Sequence, residues 1–470
     1  MADLMAASQR TRMQLSYWQR TLTLQEQDAD YTGMATSLEN IAEIYRAEGM
    51  LDDALTTFQR ALILQERTGD RAGIAGVMAA MSRVYAQQGK HDDALNLARR
   101  ALTMRERQGE PMAIATLLEE IGAILASQRQ FDAAATHLER ALALRERLAA
   151  PIETADALST LARVYAAEAR VVDAQRAIQR ALGLYERAGT SGQVAAALTA
   201  IGALHLRQRQ LESAHQALSR ALTLREGLGN AADTGETLSH IGAVYLLQGR
   251  ESPASEYLQR AIHLQEHAAG APALALTLER LGRVYHLQGR LTQAQSALLE
   301  AIQLVEGDAY PEELSEALAA MGATYESQGR LRDALEMQQR ALSLREELGD
   351  ASLLADSLAQ LGSIHDAMGK GQEALELLER VLEIRDALGD PIDTARAQRA
   401  LARTLWQYGD KVRAVELLEA AVATYRERQM HDDVIRELET LTRLYDLSGA
   451  KDRARAATDE LRRLRASLQP

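Results

Sequence analysis

The peptide RALSLREELGD at residues 340–350 is followed forty residues later by RVLEIRDALGD at 380–390. Close copies precede it: RALILQERTGD at 60–70, RALTMRERQGE at 100–110, RALALRERLAA at 140–150 and RALTLREGLGN at 220–230. A catalytic site is normally built once, whereas a segment rewritten at a fixed period marks a structural unit that is stacked. Cutting the chain at residue 31 and at every fortieth residue up to 431 gives eleven blocks without insertion or deletion. Column 24 of every block is alanine, from Ala54 through Ala254 to Ala454. Column 12 is always small, with Gly122, Gly202, Gly242, Gly282, Gly322 and Gly362 in six blocks. Column 15 is large, with tyrosine in seven blocks from Tyr45 to Tyr445. Small residues let two backbones approach, and the large ones fill the space beside them.

Within a block the apolar residues fall at columns 8, 11, 12, 14 and 15, then at 24, 28, 31, 32 and 34, which is helical spacing in two separate runs. The first run stops at column 19, glycine in eight blocks, as a helix C-terminus prefers. Gly69, Gly349 and Gly389 stop the second run, and Asp70, Asp350 and Asp390 follow as N-caps of the next. Pro111, Pro151, Pro311 and Pro391 open their blocks, where a missing N–H costs nothing. The stretch LREELGD is therefore the last turn of one helix, its stop signal and the cap of the next.

Bulk properties agree with a chain of helices. Of 470 residues, 47% are apolar and only 4% aromatic, and Ala, Leu, Arg, Gln and Glu dominate, which favours helix from end to end. The absence of cysteine excludes disulfides and thiolate chemistry and fits a reducing cytoplasm. No window approaches the roughly 18 apolar residues of a membrane span, so a cytoplasmic protein without a membrane partner is expected. A net charge of −13, with arginines interleaved among glutamates, argues against a nucleic-acid partner.

The order Leu or Ile, small residue and Tyr in the first helix, then Ala and Ala in the second, resembles the tetratricopeptide repeat over residues 31–470. Residues 1–30 read as an N-terminal half-repeat or capping helix. The blocks 31–70, 71–110, 111–150, 151–190, 191–230, 231–270, 271–310, 311–350, 351–390, 391–430 and 431–470 read as eleven repeats, the last a C-terminal cap. The resemblance implies an all-α fold, a right-handed α-α superhelix of helix-turn-helix repeats. The family's proline near the end of the second helix is replaced by an acid, as at Glu66, Glu346 and Asp386, and the block length is closer to the long repeats of kinesin light chains, Pins-type scaffolds and bacterial signalling regulators. Column 10, where those relatives often carry asparagine, reads Asn40, Ala80, Glu120, Thr160 and onward without a ladder, so no partner carries over. At the N-terminus, Met13, Leu15, Trp18 and Leu22 lack a preceding block, and residues 2–9 are expected to fold back over them. Left uncovered, that face would pair with a second copy or a partner.

One stretch matches a catalytic pattern. HLQEH at 263–267 has the zinc-ligand spacing of inverted zincins, but Glu266 lies in a column that is acidic in nine consecutive blocks, so the repeat alone accounts for it. A metallohydrolase is the remote alternative. The expected function is a non-catalytic protein-interaction scaffold without cofactor, and a regulatory sensor acting in trans is the second reading. In tetratricopeptide solenoids, columns 6, 9, 13, 16 and 17 of the first helix line the concave groove. Blocks five to seven are unusually apolar there, with Leu206, Leu246, Leu247, His286 and Leu287 bracketed by Arg207, His240, Arg280 and Arg283. That set is the expected binding surface for a protein or peptide partner, acidic and amphipathic in character.

Overall fold

The computed structural model describes residues 2–168, 170–266, 268, 270–307 and 310–467, with the side chains of 2–10 and 467 outside that description. Every regular element among the described residues is an α-helix. The chain divides into two compact units, Met1–Leu228 and Gly229–Pro470.

The first unit contains α1 (Ala2–Gln27), α2 (Tyr31–Ala47), α3 (Leu51–Thr68), α4 (Arg71–Gln87), α5 (His91–Gln108), α6 (Pro111–Ser127), α7 (Phe131–Arg147), α8 (Pro151–Ala167), α9 (Val171–Ala188), α10 (Ser191–Arg207) and α11 (Leu211–Leu228). The second contains α12 (Ala231–Leu247), α13 (Glu251–Gln265), α14 (Ala271–Leu287), α15 (Leu291–Val305), α16 (Pro311–Ser327), α17 (Leu331–Leu348), α18 (Ala351–Ala367), α19 (Gly371–Leu388), α20 (Pro391–Tyr408), α21 (Lys411–Glu427), α22 (His431–Ser448) and α23 (Lys451–Ser467). The even-numbered helices begin at the first residue of each forty-residue block, and each packs on the helix that follows it. Among the described residues no helix is long and apolar enough to cross a membrane.

Local chemistry sets the boundaries. The Asp70, Asp350 and Asp390 carboxylates accept from backbone N–H groups of the next helix, at 3.0 Å for Ala72 and 2.9 Å for Ser352. Among the described residues column 19 takes a positive φ, near 75° at Gly49 and Gly89, so that the chain reverses within three residues. Arg129 and Arg209 adopt that conformation without glycine's freedom, at φ 60° and 56°.

Close approach within a pair rests on columns 12, 24 and 28. Ala254 is wholly buried, and a methyl group added at Gly242 would sit 2.6 Å from Leu258 Cγ and 3.4 Å from the Ala254 carbonyl oxygen. The same clash recurs at Gly122 against Leu138 and at Gly282 against Leu298. Ala254→Leu is accordingly expected to cost about 1–3 kcal/mol by overpacking one helix pair. Because stability in a stack is a sum of unit and neighbour terms, hydrogen exchange should accelerate in α12 to α15 and leave α20 to α23 unchanged. Uniform deprotection throughout the second unit would contradict the repeat architecture.

Column 35 supplies buried links within blocks and, at Arg345 and Arg385, between them. Arg145, Arg225, Arg345 and Arg385 are all buried there, near the end of the second helix. Within its own block, Arg145 holds Glu119 through two nitrogens, each at 3.0 Å, and Thr116 at 2.9 Å. Arg345 donates to Glu316 of its own block at 3.4 Å and to Ser357 Oγ of the next at 2.8 Å. Arg385 likewise ties Asp356 and Ser352 of α18 to Asp393 of α20. An outer ladder of exposed pairs runs at a spacing of 34 residues, with Arg140 to Glu106 at 2.6 Å and Arg180 to Glu146 at 2.7 Å. Such exposed pairs contribute only about 0–1 kcal/mol each.

At the N-terminus the expectation of a fold-back is overturned. Residues 2–9 continue α1 as one helix of 26 residues, since no stop signal separates them from residues 10–27. Met13, Tyr17 and Leu24 are exposed on that helix.

Candidate functional site

In the second unit, four successive first helices, α12, α14, α16 and α18, present the same face and enclose a cavity of about 530 Å³. The lining comes from columns 6, 9, 10, 13, 16 and 17, plus the buried Arg345. These columns point away from the contact with the second helix, although Leu246, Ala319, Ala320 and Ala359 also pack against the core.

Small side chains make the hollow. Ala319, Ala320 and Ala323 of α16 and Ala359 of α18 form its floor, where longer side chains would fill the space. One wall is apolar: Leu246, Leu247 and Leu287, with Leu247 43% and Leu287 57% exposed. Leu246 is half-buried and also packs against the Tyr285 and Val284 core. The apolar positions on this face therefore divide into two free leucines and one that the fold uses.

The opposite wall is charged and mixed. Glu279 is buried, and Arg283 Nη1 donates to its Oε1 at 3.5 Å. Burial pushes the Glu279 carboxyl up to about 7, against the pull of Arg283, and Glu316 adds to the rise. The Arg283 guanidinium remains accessible, its side chain 53% exposed. Glu316 and Asp356 line the cavity as well, each held from beneath by a column-35 arginine, Arg345 and Arg385 respectively. Those two acids thus belong both to the cavity and to the links between blocks.

The structure distributes the nine expected residues unevenly. Leu246, Leu247, Arg283, His286 and Leu287 come together in this cavity. Leu206 and Arg207 lie on α10 in the other unit, where Arg207 donates to the Ala166 carbonyl at 2.8 Å. His240 is half-buried on α12 outside the lining. Arg280 turns inward and donates to Ser239 Oγ at 2.8 Å, and burial draws its guanidinium below its ordinary value. His286 Nδ1 sits 3.3 Å from Thr324 Oγ1, and burial lowers its imidazole pKa, so it acts as a neutral polar group at neutral pH. Glu279, Glu316 and Asp356 were missed, although they stand in columns 6 and 9 of the same face. Their signal is acid on a face read for leucine, arginine and histidine.

Of the HLQEH stretch, His263 and Glu266 are exposed at the end of α13, and His267 lies outside the described residues. Among the described residues no group of three metal-ligating side chains is assembled.

Paired helices at a forty-residue period define a helical-repeat protein. A tetratricopeptide repeat family model matches residues 33–107 and 193–267, a second matches 114–150, and a MalT-like TPR region matches 263–467. The chain belongs to the tetratricopeptide-repeat family. No curated protein matches it at a significant level. Among solved structures it is similar to BtubC (BKLC) from P. vanneervenii, at 19% identity over 47% of this chain and 91% of that one, with a TM-score of 0.39. It is also similar to a putative kinesin light chain with nearly identical TPR-like repeats from Podosopora anserina, at 21% identity over 41% of this chain and 95% of that one, with a TM-score of 0.35.

Proposed function

We propose that the protein is a non-catalytic interaction scaffold that holds a segment of a partner protein against the first-helix face of α12, α14, α16 and α18. The observation that carries this reading is the pair of exposed leucines, Leu247 and Leu287, beside a hollow floored by alanines. Exposed apolar side chains next to an unfilled cavity mark a surface shaped for an apolar anchor. The accessible Arg283 suits an acid beside that anchor, and the buried Glu279 disfavours a second acid deeper in the cavity. The partner is therefore an amphipathic segment with one or two apolar residues flanked by a carboxylate. Membership of a family built for protein contacts supports the same reading. The lack of cysteine supports a cytoplasmic setting.

Leu247→Asp with Leu287→Asp is expected to remove partner capture from extracts of the source cell and to shift the melting temperature by no more than about a degree or two, as for other exposed positions. Ile63→Asp on α3, equally exposed, serves as the control and should capture as the parent does. Capture retained by the double variant would move the site off this face, and loss in both variants would make the effect nonspecific.

A further inference from the structure

A second cavity, of about 600 Å³, opens between α20 and α22, starting in the block after the last one that lines the alanine-floored cavity. Its apolar part is Trp406, Leu418 and Leu444 with Ala400 and Ala402. Trp406, at column 16 of α20, is partly buried against the core shared with α21 and α22, and Lys411 Nζ at the start of α21 lies 5.3 Å from its ring centroid. Only two tryptophans occur in the chain, and the part of this indole left open by the core lines the cavity.

Around this apolar surface stand three guanidiniums, Arg399, Arg403 and Arg436, and among the lining residues one carboxylate, Glu437. Glu437 is buried and already accepts from Arg399 Nη1 at 3.3 Å. Arg403 is 68% exposed, and the nearest acid, Asp366, is 3.8 Å away, beyond hydrogen-bond distance. Arg436 is 61% exposed and spends one nitrogen on Asp433 at 3.0 Å. Both arginines therefore keep donors for a group entering the cavity. A planar guanidinium fork matches a carboxylate in two parallel hydrogen bonds.

We propose that this cavity binds a small organic carboxylate with an apolar body, the body lying on Trp406, Leu418 and Leu444 and the carboxylate taken by Arg403 and Arg436. A cation is disfavoured because the one lining acid is already engaged by Arg399. A polyphosphate is disfavoured because the apolar walls offer nothing to replace the hydration of a dense anion. The volume lies within the range of about 300–1,000 Å³ typical of small-ligand sites.

Trp406 is its own reporter. In Trp18→Phe protein it is the single indole, and its fluorescence is titrated with octanoate, octanol and octylamine as probes. Octanoate is expected to give a saturable change, with octanol and octylamine at least about tenfold weaker. Arg403→Gln with Arg436→Gln should weaken octanoate by about tenfold or more, the equivalent of one lost charge-assisted hydrogen bond. Calorimetric titration of the protein with both tryptophans repeats the measurement without the Phe substitution. Leu247→Asp with Leu287→Asp should leave octanoate binding unchanged, which separates this site from the scaffold reading. Octanol binding as tightly as octanoate, an arginine-independent response, preference for octylamine, or no saturation by any probe would each overturn the assignment.

Discussion

Glu279→Gln is expected to remove a pH dependence of about 3 kcal/mol from the stability of the second unit, the energy equivalent of raising a carboxyl from 4.5 to about 7. The folded protein holds the Glu279 proton more tightly than the unfolded chain does. The stabilisation from that proton is fully present below pH 4.5 and is lost as pH rises through about 7. The parent should therefore be more resistant to urea at pH 5 than at pH 8, and the glutamine variant should show a flatter profile and be the more stable of the two at pH 8. Freed of its partner, Arg283 meets water, because its side chain is 53% exposed. Urea midpoints at the two pH values decide the matter. An equal pH dependence in parent and variant would show that Glu279 is ionised in the fold and solvated in a way its burial does not suggest.

Arg345→Met should cost about 1.5–3 kcal/mol, the range for a hydrogen bond made by a charged group. Methionine keeps much of the volume, so the loss falls on polar contacts: Ser357 Oγ at 2.8 Å, the Leu353 carbonyl at 3.1 Å and Glu316 at 3.4 Å. The first two belong to the following block and the third to its own, so one side chain joins two units of the stack. Glu316 is partly exposed and regains water, which keeps the cost below that of a fully buried pair. Arg345→Lys should recover little, since one ammonium cannot span the two directions of a guanidinium. Chemical denaturation measures the cost, and hydrogen exchange should show it at the α17–α18 junction. A variant as stable as the parent would mean that packing alone holds the two blocks together.

The alanine-floored cavity and the column-35 links share residues, and this has a functional consequence. Glu316 and Asp356 face the cavity while held by Arg345 and Arg385. A partner that competes for those acids would weaken the links beneath them, whereas one that seats an apolar anchor on Leu247 and Leu287 leaves them intact. The proposed amphipathic segment is of the second kind.

Much of the architecture was legible in the bare chain because it is enforced locally and repeatedly. Glycine at column 19, aspartate caps at 70, 350 and 390, and alanine at column 24 each act within a few residues, so the period exposes them without knowledge of what lies across the groove. Even the outward-facing columns follow from helical geometry once the core columns are assigned. What only the tertiary structure decided is what those outward residues meet. Whether Arg207 is free or bonded to the Ala166 carbonyl, whether Arg280 faces outward or turns to Ser239, and whether Glu279 is solvated or buried depend on groups in neighbouring blocks. A cavity has the same origin: it lies where neighbouring helices happen to offer Ala319, Ala323 and Ala359, and no single block encodes it. The amino-acid sequence by itself determined a stack of paired helices, because backbone capping and close packing are short-range; the stack alone decided where that surface is hollow and charged, because burial and desolvation depend on several blocks at once.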